Sequence, residues 1–293
     1  MKNHGNQITL LDTFPDFIQY WTIYSKAPVE EQINGWVYQY MQKWPQLLKK
    51  QVNQYRSEGY EWRRIAKENV FPKIKTNLSK IRLVRRLLVQ ESWQIIRNAR
   101  EKFDFYQPLY LIIYVGIGLG AGWETKYRKL PALLFGLENI AEEDWTSAAE
   151  IRGLITHELG HLVHSFWREK AGKRIISNPL WQLYTEGFAD RFENSLQSNK
   201  KIHRDSMDQE SVWFGKNKRW LAREFLKRLE NNGDFRPFFG SWYRIRGHSQ
   251  TGYFIGSEIV KRLEESFSLK EIAGLNQINQ RMKRRLWEMA AGL

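Results

Sequence analysis

The chain has 293 residues, none of which is cysteine, and 14% of them are aromatic. The lack of cysteine excludes a disulfide scaffold, a thiolate metal site and a cysteine nucleophile, and a hydrophobic content of 42% excludes a disordered chain. The net charge of +14 is unevenly spread, since residues 1–100 carry +9, residues 101–200 carry −2 and residues 201–293 carry +7.

Residues 1–107 are predicted to form a helical N-terminal region. Apolar residues recur with a period close to 3.6 in segments 29–55 and 81–103, the pattern of amphipathic helices, and Pro45 is expected to kink the first of them. Basic runs such as residues 82–86 lie on these segments. They favour solvated helix faces over a nucleic-acid groove, because the chain contains no zinc-finger, RNP or basic-zipper pattern.

Residues 108–293 are predicted to form a second domain that begins with a small sheet in segment 109–137. Apolar, β-rich runs at 109–115 and 130–137 are predicted strands, with alternating glycines after the first. The first run is shorter than the ~20 residues that a membrane-spanning helix needs, and no secretory signal precedes it. We therefore expect a cytoplasmic protein without a membrane span and with a mostly helical α+β fold.

The sequence His157-Glu-Leu-Gly-His161 is an H-E-x-x-H motif within a predicted helix at 148–168. Two histidines four residues apart project from one side of a helix, where both imidazoles can reach one Zn²⁺ ion. Glu158 is then placed to hold and deprotonate a water on that ion. The alternative is an accidental match, with both histidines hydrogen-bonded on the helix surface. His164 is off the pattern and is not expected to bind the metal; it is expected to pack against neighbouring side chains or to contact a ligand.

A second predicted helix at 180–197 supplies a third metal ligand. Glu186 lies 25 residues after His161 in the sequence, which leaves room for a turn and an antiparallel return. Asp190 shares a helix face with Glu186, and a carboxylate there can accept the second ring N–H of a ligating histidine. The alternative is a solvated acidic pair on an amphipathic helix.

The segments HELGH and TEGFAD together resemble the gluzincin peptidases, the group that includes thermolysin and the alanyl-aminopeptidase family. The longer pattern is more similar still to a bacterial family of predicted zinc-dependent proteases, which pairs H-E-x-x-H with E-G-x-A and a later G-Y-x-x-G, here residues 252–256. The resemblance covers roughly residues 109–265. It implies one Zn²⁺ ion, a peptide or protein substrate, and an edge strand packed on the H-E-x-x-H helix.

The resemblance also implies further site residues. The substrate-binding edge strand would fall near Gly120, Ala121 and Gly122, with a plain glycine-rich turn as the alternative. Tyr253 or His248 would donate to the oxyanion of the reaction, with a buried aromatic as the alternative for the tyrosine. Glu138 lies in a G-L-E-N segment similar to an aminopeptidase signature that binds the substrate amine, but its spacing to the zinc helix departs from that pattern.

The sequence therefore predicts a zinc metallopeptidase in which His157, His161 and Glu186 bind the metal and Glu158 is the general base. The choice between endopeptidase and aminopeptidase stays open, as does the oligomeric state. One alternative is a non-hydrolytic zinc-containing regulatory or stress protein, which would have no need of the glutamate in the motif. A basic nucleic-acid-associated protein is a weaker alternative, because the positive charge belongs to the flanking segments.

Overall fold

A computed structural model describes residues 7–196, 207–240 and 243–293, without the side chains of 207–211. The chain divides into two compact units, Met1–Glu158 and Leu159–Leu293. The division falls inside the helix that carries the H-E-x-x-H motif. The sequence pattern, in contrast, changes from helical to β-rich near residue 107. The mostly helical α+β fold predicted from the sequence is confirmed.

The helices of the first unit lie between the first two strands of a small sheet and after its last strand. They are α1 (Phe14–Tyr24), α2 (Val29–Gly35), α3 (Pro45–Ser57), α4 (Trp62–Ile65), α5 (Phe71–Phe103), α6 (Leu137–Glu142) and the first part of α7 (Ala148–Lys170). Two π-helical segments, Trp36–Tyr40 and Ala66–Val70, and a 3₁₀ turn, Met41–Lys43, connect some of them.

The prediction that Pro45 kinks one continuous helix is wrong. The segment breaks into α2, a π-helical stretch and a 3₁₀ turn, and Pro45 begins α3 instead. Proline is suited to the first position of a helix, because the N–H that it lacks has no partner within the helix there. The apolar period of 3.6 is the same on both sides of the break, so periodicity alone does not locate it.

The sheet contains β1 (Ile8–Asp12), β2 (Leu109–Tyr114), β3 (Gly122–Tyr127) and β4 (Leu130–Gly136) in the order β1-β2-β4-β3. The first three strands in that order run parallel, and β3 pairs antiparallel with β4. The two strands predicted from apolar runs are confirmed as β2 and β4, which are the buried centre of the sheet. β1 was missed and β3 was indicated only by resemblance, because half-buried edge strands lack a continuous apolar run.

The second unit is helical in its described part. It contains the remainder of α7 together with α8 (Pro179–Leu196), α9 (Met207–Glu230), α10 (Arg236–Phe239), α11 (Thr251–Glu264), α12 (Leu269–Gly274) and α13 (Ile278–Ala291). The predicted helix at 180–197 corresponds to α8, and its last residue, Gln197, lies outside the described residues. Among the helices that the structure describes, none has an apolar stretch sufficient to span a membrane.

Helix α8 crosses α11 at a pair of glycines. A Cβ atom on Gly187 would lie 2.1 Å from the carbonyl carbon of Gly256, and a Cβ on Gly256 would lie 2.1 Å from the carbonyl oxygen of Leu183. The two backbones are therefore in direct contact, at a distance that no larger residue allows. This crossing fixes α11 against the turn of α8 that carries Glu186.

We expect Gly187→Ala to destabilise the protein by roughly 2–3 kcal/mol, because the new methyl group forces the two helix backbones apart. Gly215→Ala is the matched control on α9, where an added Cβ meets nothing within 4 Å. The control should be neutral or stabilising by up to about 1 kcal/mol, as alanine favours the helix. Chemical denaturation of both variants measures the difference, and equal free energies of unfolding would contradict the close crossing.

Candidate metal centre

The structure brings together the three side chains that the sequence assigned to the metal. One ligand atom from each of His157, His161 and Glu186 lies within 4.8 Å of the other two, and all three side chains are half-buried. His161 Nε2 lies 3.3 Å from Glu186 Oε2. Among the described residues, this is the one cluster of three or more histidine and acidic side chains with such spacing.

The cluster fits a zinc ion by its donor atoms and by their separation. Two imidazoles and one carboxylate are the ligand set of many catalytic zinc sites, which keep a fourth position open. Ligand atoms about 2.0–2.2 Å from a tetrahedral centre are about 3.4 Å apart, close to the observed separation of His161 Nε2 and Glu186 Oε2. The contact between these two side chains is thus compatible with a shared ion.

The approach of α8 to α7 places Glu186 beside the histidines. A Cβ on Gly160 would lie 3.0 Å from the Ala189 backbone, while His164, one turn further along α7, bonds Tyr184. Residue numbers rise on α7 as they fall on α8, so the predicted antiparallel return is confirmed. Glycine at residue 160 allows this approach, because a Cβ there would require α8 to give way by a few tenths of an ångström.

His164 holds the two helices in register and lies outside the metal cluster. It is buried, and its Nε2 lies 3.0 Å from the Tyr184 hydroxyl, which in turn donates to the backbone oxygen of Ile272 at 3.0 Å. Because the hydroxyl hydrogen is used in that bond, His164 Nε2 carries the proton and donates to the tyrosine oxygen. Burial lowers the pKa of His164 to about 3, so the ring is neutral. The expected packing role is confirmed.

Glu158 lies against the first residue of the edge strand β3. Its side chain is 7% exposed, and a Cβ atom on Gly122 would lie 2.7 Å from its Cγ and 2.8 Å from its Oε1. Glycine at residue 122 thus leaves the space that the carboxylate occupies. Glu158, the residue after His157, and the start of the edge strand are therefore in direct contact.

The outer edge of β3 has backbone groups available for a further strand. Gly136 N donates to Ala121 O at 3.0 Å, and hydrogen-bonded pairs alternate along an antiparallel ladder. Residues 121, 123, 125 and 127 therefore turn their backbone groups toward β4, and residues 122, 124 and 126 turn theirs outward. No other described strand pairs with that side of β3.

The three residues assigned to substrate binding have different positions. Gly122 belongs to β3, and its backbone groups point away from β4. Ala121 precedes the strand, and its carbonyl oxygen accepts a hydrogen bond from Gly136 N. Gly120 precedes the strand with φ of 156°, and its carbonyl oxygen would lie 2.6 Å from a Cβ on Gly136. The edge strand thus begins later than the glycine-rich segment suggested. The substrate-binding role of these residues stays a prediction.

Asp190 has partners other than a histidine in the described structure. Its carboxylate accepts hydrogen bonds from Ser257 on α11 and from Asn194 Nδ2, the latter at 3.3 Å. The carboxylate therefore ties α8 to α11 next to the glycine crossing. An orienting role toward a ligating histidine stays a prediction.

Tyr253 and His248 lie in different surroundings. Tyr253 is half-buried in the first turn of α11, one turn before Gly256 at the crossing with α8, and its ring centroid lies 6.3 Å from that of Phe239. The His248 ring stacks on Trp213 of α9, with centroids 3.8 Å apart, in a tight turn closed by Ile245. His248 is not one of the residues of the metal cluster. The oxyanion role of either residue stays a prediction.

Glu138 is a buried carboxylate that motif reasoning assigned only weakly. It is 6% exposed and accepts hydrogen bonds from Gly116 N at 2.6 Å and Gly118 N at 3.1 Å. Both of its oxygens thus accept hydrogen bonds from the backbone, and the implied role in binding a substrate amine stays a prediction. Burial raises its pKa to about 7, although the two amides oppose that shift.

Comparison of the chain with protein-family models, with curated proteins and with solved structures finds no match.

We expect the protein to bind one Zn²⁺ ion per chain at pH 7.5, as measured by metal analysis and chelator competition. Replacing His157, His161 or Glu186 by alanine should weaken binding by more than about 100-fold, because each substitution removes a ligand rather than an outer-sphere partner. His248→Ala is the control, since that ring stacks on Trp213. Equal affinities for the ligand variants and the control would exclude this metal centre.

We also expect stability to depend on pH through Glu138. Its folded pKa lies above its ordinary value of 4.5, so the native state binds more protons than the unfolded state between pH 4.5 and about 7. Stability from this residue is therefore present at low pH and is lost as the pH rises, by about 3 kcal/mol in total. Urea unfolding at pH 5 and pH 8 should show this loss in the wild type relative to Glu138→Gln, and parallel pH profiles of the two proteins would contradict it.

Proposed function

We propose that the protein is a zinc-dependent peptidase of the gluzincin type. The observation that carries the proposal is the contact of Glu158 with Gly122, because it joins the residue between two metal-binding histidines to an open edge strand. A purely structural metal site needs neither a carboxylate at that position nor an unpaired strand beside it. The combination supports hydrolysis of a substrate that binds in extended form.

The metal ligands would be His157, His161 and Glu186. A Zn²⁺ ion held by them supplies a Lewis acid that polarises a carbonyl group and lowers the pKa of water. Glu158 is not needed as a ligand, and its carboxylate can therefore accept a proton from the attacking water and deliver it to the leaving amine. Its burial against Gly122 excludes bulk water and limits the carboxylate to few orientations.

The substrate would bind as an additional strand on β3. The backbone groups of Gly122, which point away from β4, can donate and accept a hydrogen bond with an extended peptide. Such pairing orients the peptide backbone without regard to its side chains. It also brings the peptide backbone to the strand position that contacts Glu158.

Tyr253 is the residue that we propose as the donor to the oxyanion. It lies one turn from the Gly187–Gly256 crossing, and Glu186 is the neighbour of Gly187 in the sequence. A hydroxyl aimed at the negative charge that develops on a carbonyl oxygen stabilises the transition state. His248 is less suited to this role, because its ring is stacked on Trp213.

We expect Glu158→Gln to retain one Zn²⁺ ion and to lower kcat by about 10²–10⁴-fold, because the amide cannot accept the proton. The assay is digestion of a peptide library by zinc-loaded protein, read by mass spectrometry, with metal content determined on the same samples. The cleavage products also distinguish an endopeptidase from an aminopeptidase.

Two outcomes of that assay would contradict the proposal. Undiminished cleavage by metal-loaded Glu158→Gln would exclude the glutamate as general base. A zinc-loaded wild-type protein that cleaves no peptide would favour a non-hydrolytic zinc protein instead.

A further inference from the structure

We propose that Glu138 is a positioning residue for the peptidase reaction: its buried carboxylate, together with hydroxyl and indole groups from the N-terminal helices, fixes the loop 115–121 that sets the edge strand β3 against Glu158. This inference rests on the proposed function for its effect on the reaction. The fixing of the loop itself can be measured without any activity.

The topology of the sheet explains the position of Glu138. β2 and β4 are parallel neighbours, so their carboxyl ends lie at the same side of the sheet. The loop follows β2, and Glu138 is the second residue after β4, at the start of α6. Its Oε2 accepts from Gly116 N at 2.6 Å and its Oε1 accepts from Gly118 N at 3.1 Å. One side chain thus accepts hydrogen bonds from two backbone amides of the loop.

Three side chains from the N-terminal helical region bond further backbone groups of the same loop. Trp36 Nε1 donates to Val115 O at 3.0 Å, and Val115 N donates to the Tyr40 hydroxyl at 3.1 Å. The Tyr55 hydroxyl donates to Ile117 O at 2.8 Å. All three side chains are buried. Together with the two bonds to Glu138, these contacts hold the loop backbone at each of the four residues from Val115 to Gly118.

Glycine is required where Glu138 meets the loop. A Cβ atom on Gly116 would lie 2.6 Å from Glu138 Oε1 and 2.7 Å from Gln51 Oε1. Gly118 has φ of 89°, which disfavours any residue with a side chain. Gly116 is thus explained by contact of the backbone with a buried carboxylate, and Gly118 by its positive φ. Neither reason involves substrate.

The fixed loop leads directly into the edge strand. Only Leu119, Gly120 and Ala121 separate Gly118 from the first residue of β3. The two residues before β3 are anchored on Gly136, by the hydrogen bond to Ala121 O and by the close approach of Gly120 O. A shift of the loop would therefore move Gly122, and with it the strand position that contacts Glu158. This connection gives the N-terminal helices a role in the reaction.

The chain offers a matched pair of variants to test this role. Tyr55→Phe removes one hydroxyl that donates to a backbone oxygen of the loop at 2.8 Å. Tyr20→Phe removes a buried tyrosine's hydroxyl that also donates at 2.8 Å, but to Gln32 O within the N-terminal helices. Both variants lose the same kind of bond in the same region, so a general loss of stability affects them alike.

The first measurement is hydrogen exchange of backbone amides in the wild type, Glu138→Gln, Tyr55→Phe and Tyr20→Phe. Glu138→Gln keeps the size of the side chain but replaces one acceptor oxygen by a donor group, which cannot bond an amide N–H. We expect at least tenfold faster exchange in segment 115–123 for Glu138→Gln and Tyr55→Phe, and unchanged exchange there for Tyr20→Phe. Equal exchange in all four proteins would overturn the proposal, whether or not the protein is a peptidase.

The second measurement is kcat and KM for an extended peptide, with zinc affinity determined on the same variants. We expect Glu138→Gln and Tyr55→Phe to lower kcat/KM by tenfold or more at unchanged zinc affinity, and Tyr20→Phe to stay within twofold of the wild type. Loss of activity in all three variants alike would show a general structural effect and would overturn the positioning role. An inactive wild type would refute the proposed function, and the exchange experiment would still decide the fixing of the loop.

Discussion

The side chain of Glu158 lies against the backbone of Gly122, where an added methyl group would come within 2.7 Å of it. This contact requires a residue without a side chain at the start of the edge strand. It also requires a strand whose position is set closely, because a small displacement would either expel the carboxylate or leave it loose. The sheet order supplies such a strand at its edge, with β4 on one side and open backbone groups on the other. The buried carboxylate of Glu138 and the hydroxyl and indole groups of the N-terminal helices supply the fixed loop before it.

The three candidate metal ligands are brought together by close contacts between helices. Small residues let α8 approach both of its neighbours, through Gly160 on α7 and through Gly256 on α11. The buried, neutral His164 and its bond to Tyr184 then set the register between α7 and α8. Glu186 lies near both histidines as a result of this packing, and the ligand set is thus a consequence of the helix arrangement.

The parts of the site that could be predicted from the sequence are those that depend on local spacing. Histidines four residues apart on an amphipathic helix necessarily share a side of it, and a short connection between two helices favours an antiparallel return. His157, His161 and Glu186 could be selected on that basis. The buried central strands were also predictable, because a short continuous apolar run between turn residues is typical of a strand buried on both faces.

The remaining features depend on contacts between distant segments, which no local pattern encodes. β1 and β3 are half-buried, so their residues carry a weak signal. The role of Glu138 is set by amides about twenty residues away, and a short motif similar to an aminopeptidase signature pointed to a different role. The surroundings of His248 and Asp190 likewise follow from α9 and α11, whose packing the sequence does not specify.

If the protein is a peptidase as proposed, an extended peptide binds along β3 with its backbone at Glu158. The most direct test is a crystal structure of the zinc-loaded protein with a non-hydrolysable phosphinic peptide. We expect one ion held by His157, His161 and Glu186, and peptide hydrogen bonds to the backbone of Gly122. A peptide bound away from β3, or an ion held by other residues, would contradict it.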